Sequence, residues 1–388
     1  MINRTERRDV DTQAKLELLG RSAQYDLCGS CCGKQAPRVR EDATRWIYPA
    51  VLPDGKRVKL LKVLMTNACK NDCAYCGVRR SRDFQRSEFE PAELARLFYE
   101  MKKARLVTGL FLSSGVKGDA DRTMAKMLAT AELLRKKYEF DGYIHMKVLP
   151  GASFSATEAA AQLADRVSVN LEAPNESRLS RIAPDKDFRK SIFARMQWIS
   201  DLVRNGATRA NSHTTQFVVG AAGESDAEIL DCVNTLYRRY SLNRAYYSAY
   251  QRPDDAAPCD APSVPLMREH RLYQADWLMR KYQFRKEELA LDESGNLSLV
   301  EDPKTIWARR HPERFPIEIN RALLHELLRV PGIGPTSAKR ICEARLQTSL
   351  RSLTDLKRLG AIASRAASYV TIGGRRFHGA EQREFLWS

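Results

Sequence analysis

VKLLKVLMTNACKNDCAYC, residues 58–76, runs from an apolar stretch straight into three closely spaced cysteines. The cysteines, Cys69, Cys73 and Cys76, have the spacing C-x3-C-x2-C. Gaps this short bring three thiols within reach of one metal centre, and thiolates are the soft ligands that iron–sulfur clusters use. A structural zinc would ask for a fourth Cys or His at short spacing, and the next such residue is His145. Three protein ligands on a cubane cluster leave one iron open to a substrate or cosubstrate. Chemistry is therefore expected at this loop rather than scaffolding.

From Val58 onward, short apolar runs ending in polar or glycine residues alternate with segments of helical period. The runs 58–66, 108–114, 142–149, 166–172, 213–220 and 244–250 predict six strands. Helices are predicted between them at about 91–104, 121–138, 155–164, 187–205 and 225–240. The first has Pro91 at its start and Leu94, Leu97, Phe98 and Met101 on one face. Such alternation predicts a parallel sheet with right-handed crossovers, curled into a barrel or left open, with its site at the C-terminal ends of the strands.

Residues 1–57 show no sustained period. They are read as an N-terminal lead-in with a short helical stretch (11–25), a CGSCCGK turn and a turn signal at Pro53-Asp54-Gly55. The expected core spans 58–252. A proline-rich connector with one helical segment near 265–281 and an irregular charged stretch at 283–316 fills 253–316, a compact helical domain spans 317–372, and a tail ending in Phe385, Leu386 and Trp387 spans 373–388.

Of 388 residues, 29% are charged and 43% hydrophobic, and no apolar run approaches the ~20 residues of a membrane span. The opening residues carry no apolar signal segment, so a reducing cytoplasm is expected, where nine cysteines ask for a role other than disulfides. The formal charge of +16 predicts a polyanionic partner. Residues 319–388 hold twelve Lys or Arg against five Asp or Glu, more than their share of that excess.

That basic end contains LLRVPGIGPTSAKRI (327–341), an apolar helix end, a tight hairpin, and Ser337, Lys339 and Arg340 in the first turns of a second helix. Gly332 and Gly334 are expected to expose backbone N–H groups beside a helix N-terminus, a shape suited to a phosphate. The segment resembles the helix-hairpin-helix motif of DNA repair proteins, which grips the backbone without reading sequence. The resemblance implies nucleic-acid contacts from Gly332, Ile333, Gly334, Thr336, Ser337, Lys339 and Arg340. A degenerate second copy follows at LTDLKRLGAIASRAASYV (353–370), with Arg365 after its hairpin.

The cysteine loop, with Tyr75 at the aromatic position of C-x3-C-x-aromatic-C directly after a first strand, resembles the radical S-adenosylmethionine (radical SAM) superfamily. The resemblance implies a partial (β/α)6 TIM-like barrel, here followed by a small all-α helix-hairpin-helix domain. It also implies a 4Fe-4S cluster on Cys69, Cys73 and Cys76 whose open iron binds the amino and carboxylate groups of SAM. One electron, from a donor such as flavodoxin or ferredoxin, would then give methionine and a 5′-deoxyadenosyl radical.

Further SAM contacts are implied at Ser113, Ser114 and Gly115 in FLSSG, and at Asn170 and Glu172 in SVNLE. In QFVVGAAGES they fall at Gln216, Val219 and Gly220, with Val219 and Gly220 packing near adenine. Lys147, two residues from His145 on one strand, and Tyr250 complete the candidate set. A second cluster on Cys28, Cys31, Cys32 and Cys259 is the lesser reading of those cysteines, and Cys232 and Cys342 are read as core. Together the two modules resemble the branch of radical SAM proteins assigned to DNA modification or repair. The alternatives are a radical SAM enzyme acting on structured RNA such as tRNA, and a non-catalytic iron–sulfur protein that binds nucleic acid.

Overall fold

The computed structural model of the chain describes residues 4–23, 46–51, 57–252 and 261–377. Cys28, Cys31, Cys32, Cys259, the Pro53-Asp54-Gly55 turn and the terminal Phe385, Leu386 and Trp387 lie outside them. The chain divides into two compact units, Met1–Glu269 and His270–Ser388. Among the described residues no helix is long and apolar enough to cross a membrane.

The first unit opens with helix α1 (Arg4–Ser22) and then builds one seven-stranded sheet in chain order. Its strands are β1 (Ile47–Val51), β2 (Arg57–Leu64), β3 (Gly109–Ser113), β4 (Tyr143–Lys147), β5 (Arg166–Ser168), β6 (Ser212–Val219) and β7 (Arg244–Ala249). From β2 to β7 every neighbour is parallel. An open doubly wound sheet must reverse its strand order at a switch point. An order that follows the chain without reversal instead curls the sheet into part of a barrel, with β1 and β7 as its two edges.

β1 lies inside the stretch read as a lead-in, for which no strand is predicted. It pairs antiparallel with β2, with Pro49 opposite Lys59. Five residues interrupted by proline carry little strand signal, and proline is tolerated here because β1 is an edge. β5 is shorter than predicted, stopping at Ser168, after which the Thr215 hydroxyl of β6 ties Val169 and Leu171 and an isolated bridge joins Glu172 to Phe217.

The crossovers are helices α2 (Pro91–Lys103), α3 (Ala120–Glu132), α4 (Phe154–Leu163), α5 (Glu176–Ile182), α6 (Ala194–Asn205) and α7 (Asp226–Arg239). Their starts are set by local chemistry. Asp119, Ser153 and Asn175 accept backbone N–H groups of the first turns of α3, α4 and α5, and Ser225 pairs reciprocally with Glu228 in α7. α2 buries Leu94, Ala95, Phe98 and Met101 against the sheet, with Leu97 half-buried beside them. α5 was not predicted; its seven residues are too few for a period.

Helix α8 (Leu266–Lys281) comes next in the chain. In the second unit, α9 (Pro303–Arg310), capped by Asp302, lies in the stretch expected to be irregular. It is followed by α10 (Leu324–Leu327), α11 (Pro335–Ala344), α12 (Leu353–Arg358) and α13 (Ala363–Ala366). Leu327, Val330, Ile333, Ile341, Leu356 and Ala366 close a common core. The domain is helical as expected but not all-α. Strands β8 (Ile317–Glu318), β9 (Val370–Ile372) and β10 (Arg375–Arg376) form a small sheet that joins its two ends.

Candidate functional site

The three cysteines sit in a loop, residues 67–87, whose two ends are stitched together. The Asn67 side chain accepts from Ser87 N at 2.7 Å and donates to the Gln85 carbonyl at 3.1 Å. Inside the loop the Arg86 guanidinium reaches the carbonyls of Asn67, Val78, Arg79 and Arg82 at 2.6–2.9 Å. A loop without secondary structure must satisfy its carbonyls some other way, and one planar cation with five donors does so here. Asp72 adds a second tie by accepting the Ser81 N–H and hydroxyl at 3.0 and 2.7 Å, which holds its carboxyl below the usual range despite partial burial.

The turn after β3 presses on this loop. Lys70 N donates to the Val116 carbonyl at 2.7 Å, and Val116 N reaches the Cys69 sulfur at 3.4 Å. A Cβ on Gly115 would lie 2.5 Å from the Ala68 carbonyl oxygen and 3.2 Å from the Cys69 Cβ. The glycine of FLSSG thus has a reason independent of any ligand, since only a bare Cα lets the cysteine loop approach.

Cys69, Cys73 and Cys76 open into a cavity of about 390 Å³ at the C-terminal ends of the strands. Burial raises the Cys73 thiol and pushes the Cys76 thiol up to about 12, so binding a metal there requires both to give up protons. Among the described residues no three His, Cys, Asp or Glu side chains converge closely enough for a single ion. The all-sulfur donor set of Cys69, Cys73 and Cys76 on one cavity wall fits an iron–sulfur cluster.

Beneath the cysteines is an ion pair with no precursor in the sequence reading. Lys186 lies 3.4 Å from Glu172, both side chains 8% exposed, and donates to the Tyr75 hydroxyl at 2.9 Å. Burial works against the Lys186 charge, but Cys73 and Glu172 more than offset it and raise its pKa. Burial and the Cys73 sulfur drive the Tyr75 hydroxyl in the same direction, so it stays protonated. Glu172 sits at φ +67°, a conformation non-glycine residues seldom adopt, which turns its carboxylate toward Lys186.

Lys186→Met is expected to destabilise the apo-chain by ~3–5 kcal/mol, because Glu172 would be left buried and unpaired. Adding Glu172→Gln should recover much of that loss. Urea unfolding of the two variants measures the coupling, and a Lys186→Met chain as stable as the parent would mean the pair is hydrated.

The predicted residues fall into two sets. Tyr75, Ser113, Ser114, Gly115, Lys147, Asn170, Glu172, Gln216 and Tyr250 all line the cavity with the cysteines. Val219 and Gly220 do not. β6 alternates, so with Gln216 facing the cavity it is Val218 that lines it, and Val219 is fully buried on the other face. The amides of Gly220 and Ala222 are taken by the Glu224 carboxylate, which folds back over the turn and leaves neither to a ligand. His145 bonds Ser168 at 2.9 Å and is not part of the lining. Lys186 was missed because the turn that carries it, after an unpredicted helix, has neither a period nor a motif.

In the second unit the two hairpins pack back to back. Ile362 N donates to the Gly332 carbonyl at 2.8 Å. Gly332 has φ +85°, and a Cβ there would lie 2.5 Å from the Ile362 carbonyl oxygen. The Lys304 ammonium supports the hairpin from below through the Ile333 carbonyl at 2.6 Å. Thr336, Lys339 and Arg340 are exposed, whereas Ile333 and Ser337 are buried.

Two expectations for this motif change. The Gly334 N–H is not exposed for a phosphate, because the Ser337 hydroxyl accepts it at 2.8 Å. Arg365 is held by Asp302 and by the Thr305 hydroxyl, so much of its charge is already answered within the protein.

Residues 63–236 match the radical SAM superfamily, and residues 314–368 match the helix-hairpin-helix motif. No curated protein matches the chain. Similar solved structures include the FeFe-hydrogenase maturase HydG from Carboxydothermus hydrogenoformans, at 12% identity and TM-score 0.46 over 56% of this chain and 50% of that one. A radical SAM methyltransferase from Sphaerobacter thermophilus aligns at 15% identity and TM-score 0.43 over 59% of this chain and 69% of that one. The chain thus spans about half the length of the maturase.

Proposed function

We propose that the chain, whose residues 63–236 match the radical SAM superfamily, is a radical SAM enzyme that acts on a nucleotide within DNA, using a 4Fe-4S cluster held by Cys69, Cys73 and Cys76. The observation that carries this reading is the presence in one chain of a thiol-lined cavity at the strand ends and of paired hairpins bearing exposed cations. When bound, the cluster and SAM supply the electron transfer and the organic radical.

The chain's own residues bind and orient. Ser113, Ser114, Lys147, Asn170 and Gln216 offer hydroxyl, ammonium and amide groups along one wall for a charged, hydrogen-bonding cosubstrate. The Lys186–Glu172 pair fixes Tyr75 below the cysteines. Residues 58–252 form the catalytic core in this reading, and 317–372 the nucleic-acid domain, with Thr336, Lys339 and Arg340 toward the phosphates. A base inside a duplex is shielded, so the target nucleotide must leave the stack or be unpaired already.

Duplex DNA, single-stranded DNA and tRNA, competed against one another at fixed salt, test the substrate class. DNA is expected to win, and a preference for tRNA would move the reading to RNA. Anaerobic reconstitution, then incubation with SAM and a reductant with and without DNA, should yield 5′-deoxyadenosine and a mass change in the digested DNA. A cluster whose spectrum ignores SAM would leave only a non-catalytic binder.

A further inference from the structure

A second cavity, of about 420 Å³, lies wholly within the second unit beside the first hairpin, and its size is that of a small-ligand site. The groups that matter in its wall are Trp277, Tyr282, Asp302, Lys304, Thr336 and Arg365. Trp277 is the unexpected member. An indole is among the most favourable side chains to bury, yet this one is 44% exposed.

The ring is also held in place. Its N–H donates to the Tyr282 hydroxyl. The Arg280 guanidinium lies 5.4 Å from the ring centroid and is itself fixed by Asp276 at 2.6 Å. Tyr282 in turn packs under the Lys304 ammonium, 4.6 Å from its centroid. An exposed aromatic ring already oriented loses little further freedom when something stacks on it.

We infer that this cleft takes one unpaired nucleotide of a bound nucleic acid, its base stacking on Trp277 while the hairpin holds the adjoining backbone. The inference rests on the reading above that the hairpins bind nucleic acid, and it adds what they select. Stacking on an aromatic ring accepts any base, since each has a π-face. Arg365 reaches this wall already paired with Asp302, and Lys304 donates to the Ile333 carbonyl, so the wall is polar rather than strongly cationic, with the exposed hydroxyl-bearing Thr336 among its groups. An aromatic face beside polar groups suits a nucleobase. A paired base has both faces covered by its neighbours, so a fixed indole in a cleft meets only a base outside the stack. The second unit thereby recognises a local break in pairing as well as the backbone.

The test uses the full chain at one salt concentration and two labelled oligonucleotides of the same sequence, a perfect duplex and the same duplex with a single unpaired nucleotide. Anisotropy titrations should show the bulged duplex bound about tenfold tighter, the lower end of what one base–aromatic stack provides. Trp277→Ala should bring that ratio to about one, and Trp277→Phe should keep part of it. Because the ring is nearly half exposed, neither change empties the core. Tight binding of both oligonucleotides at a ratio near one, or a tenfold ratio that survives Trp277→Ala, would overturn the inference alone. Failure to bind either would remove the nucleic-acid reading and the inference with it.

Discussion

Cys69→Ala, Cys73→Ala and Cys76→Ala are each expected to give a folded, colourless chain that forms no 5′-deoxyadenosine after anaerobic reconstitution. The fold should survive because the thiols do not hold their own loop together. Arg86 on four carbonyls, Asn67 across the loop's ends and Asp72 on Ser81 do that. Losing one of the three sulfur ligands weakens the hold on a cluster, and among the described residues no other cysteine lines the cavity as a substitute. Visible absorption, iron per chain and 5′-deoxyadenosine by chromatography are the three readouts. Turnover that persists in any one variant would refute the ligand assignment, and a folded parent that takes up zinc in place of iron would refute the cluster itself.

How far the sequence foretold this site depends on which physical signal carries each residue. The three cysteines announce themselves through spacing, and the strand ends through apolar runs that stop at polar residues, so the cavity wall from Ser113 to Gln216 was legible. A one-residue register error was also possible, because a run such as QFVVG does not say which valine faces in. Val218 lines the cavity, and Val219 does not. Arg86 was hidden for another reason. SRDFQRS reads as a solvated basic run, and only the fold brings its guanidinium under four carbonyls of one loop.

Lys186 belongs to the same class, a cation whose partner, Glu172, is fourteen positions away in sequence and sits at a left-handed backbone position that no sequence pattern announces. In the hairpins the glycines were found by pattern while their reason was not. Gly332 is required where two backbones touch, and the Gly334 amide is already occupied by Ser337.

Gly332→Val should therefore act through packing between the hairpins rather than through a lost phosphate contact. The residue holds φ +85°, which costs a side-chain-bearing residue ~1–2 kcal/mol. Its Cβ would also stand 2.5 Å from the Ile362 carbonyl oxygen and 3.0 Å from the Arg365 Cβ, and a backbone atom cannot swing aside as a flexible side chain can. The two hairpins must separate, breaking the Ile362-to-Gly332 hydrogen bond, and DNA affinity should fall by at least an order of magnitude, as when several phosphate contacts are lost together. Iron content per chain should stay at the parent value, since the cysteine loop lies in the other unit.

Lys339→Glu separates the two explanations, because this exposed side chain supports no packing. It should weaken binding to all DNA sequences alike and flatten the dependence of log K on log salt by about one or more. If Gly332→Val binds DNA as tightly as the parent, the paired hairpins are not the grip. If Lys339→Glu leaves the salt slope unchanged, the α11 face is not where the phosphates lie.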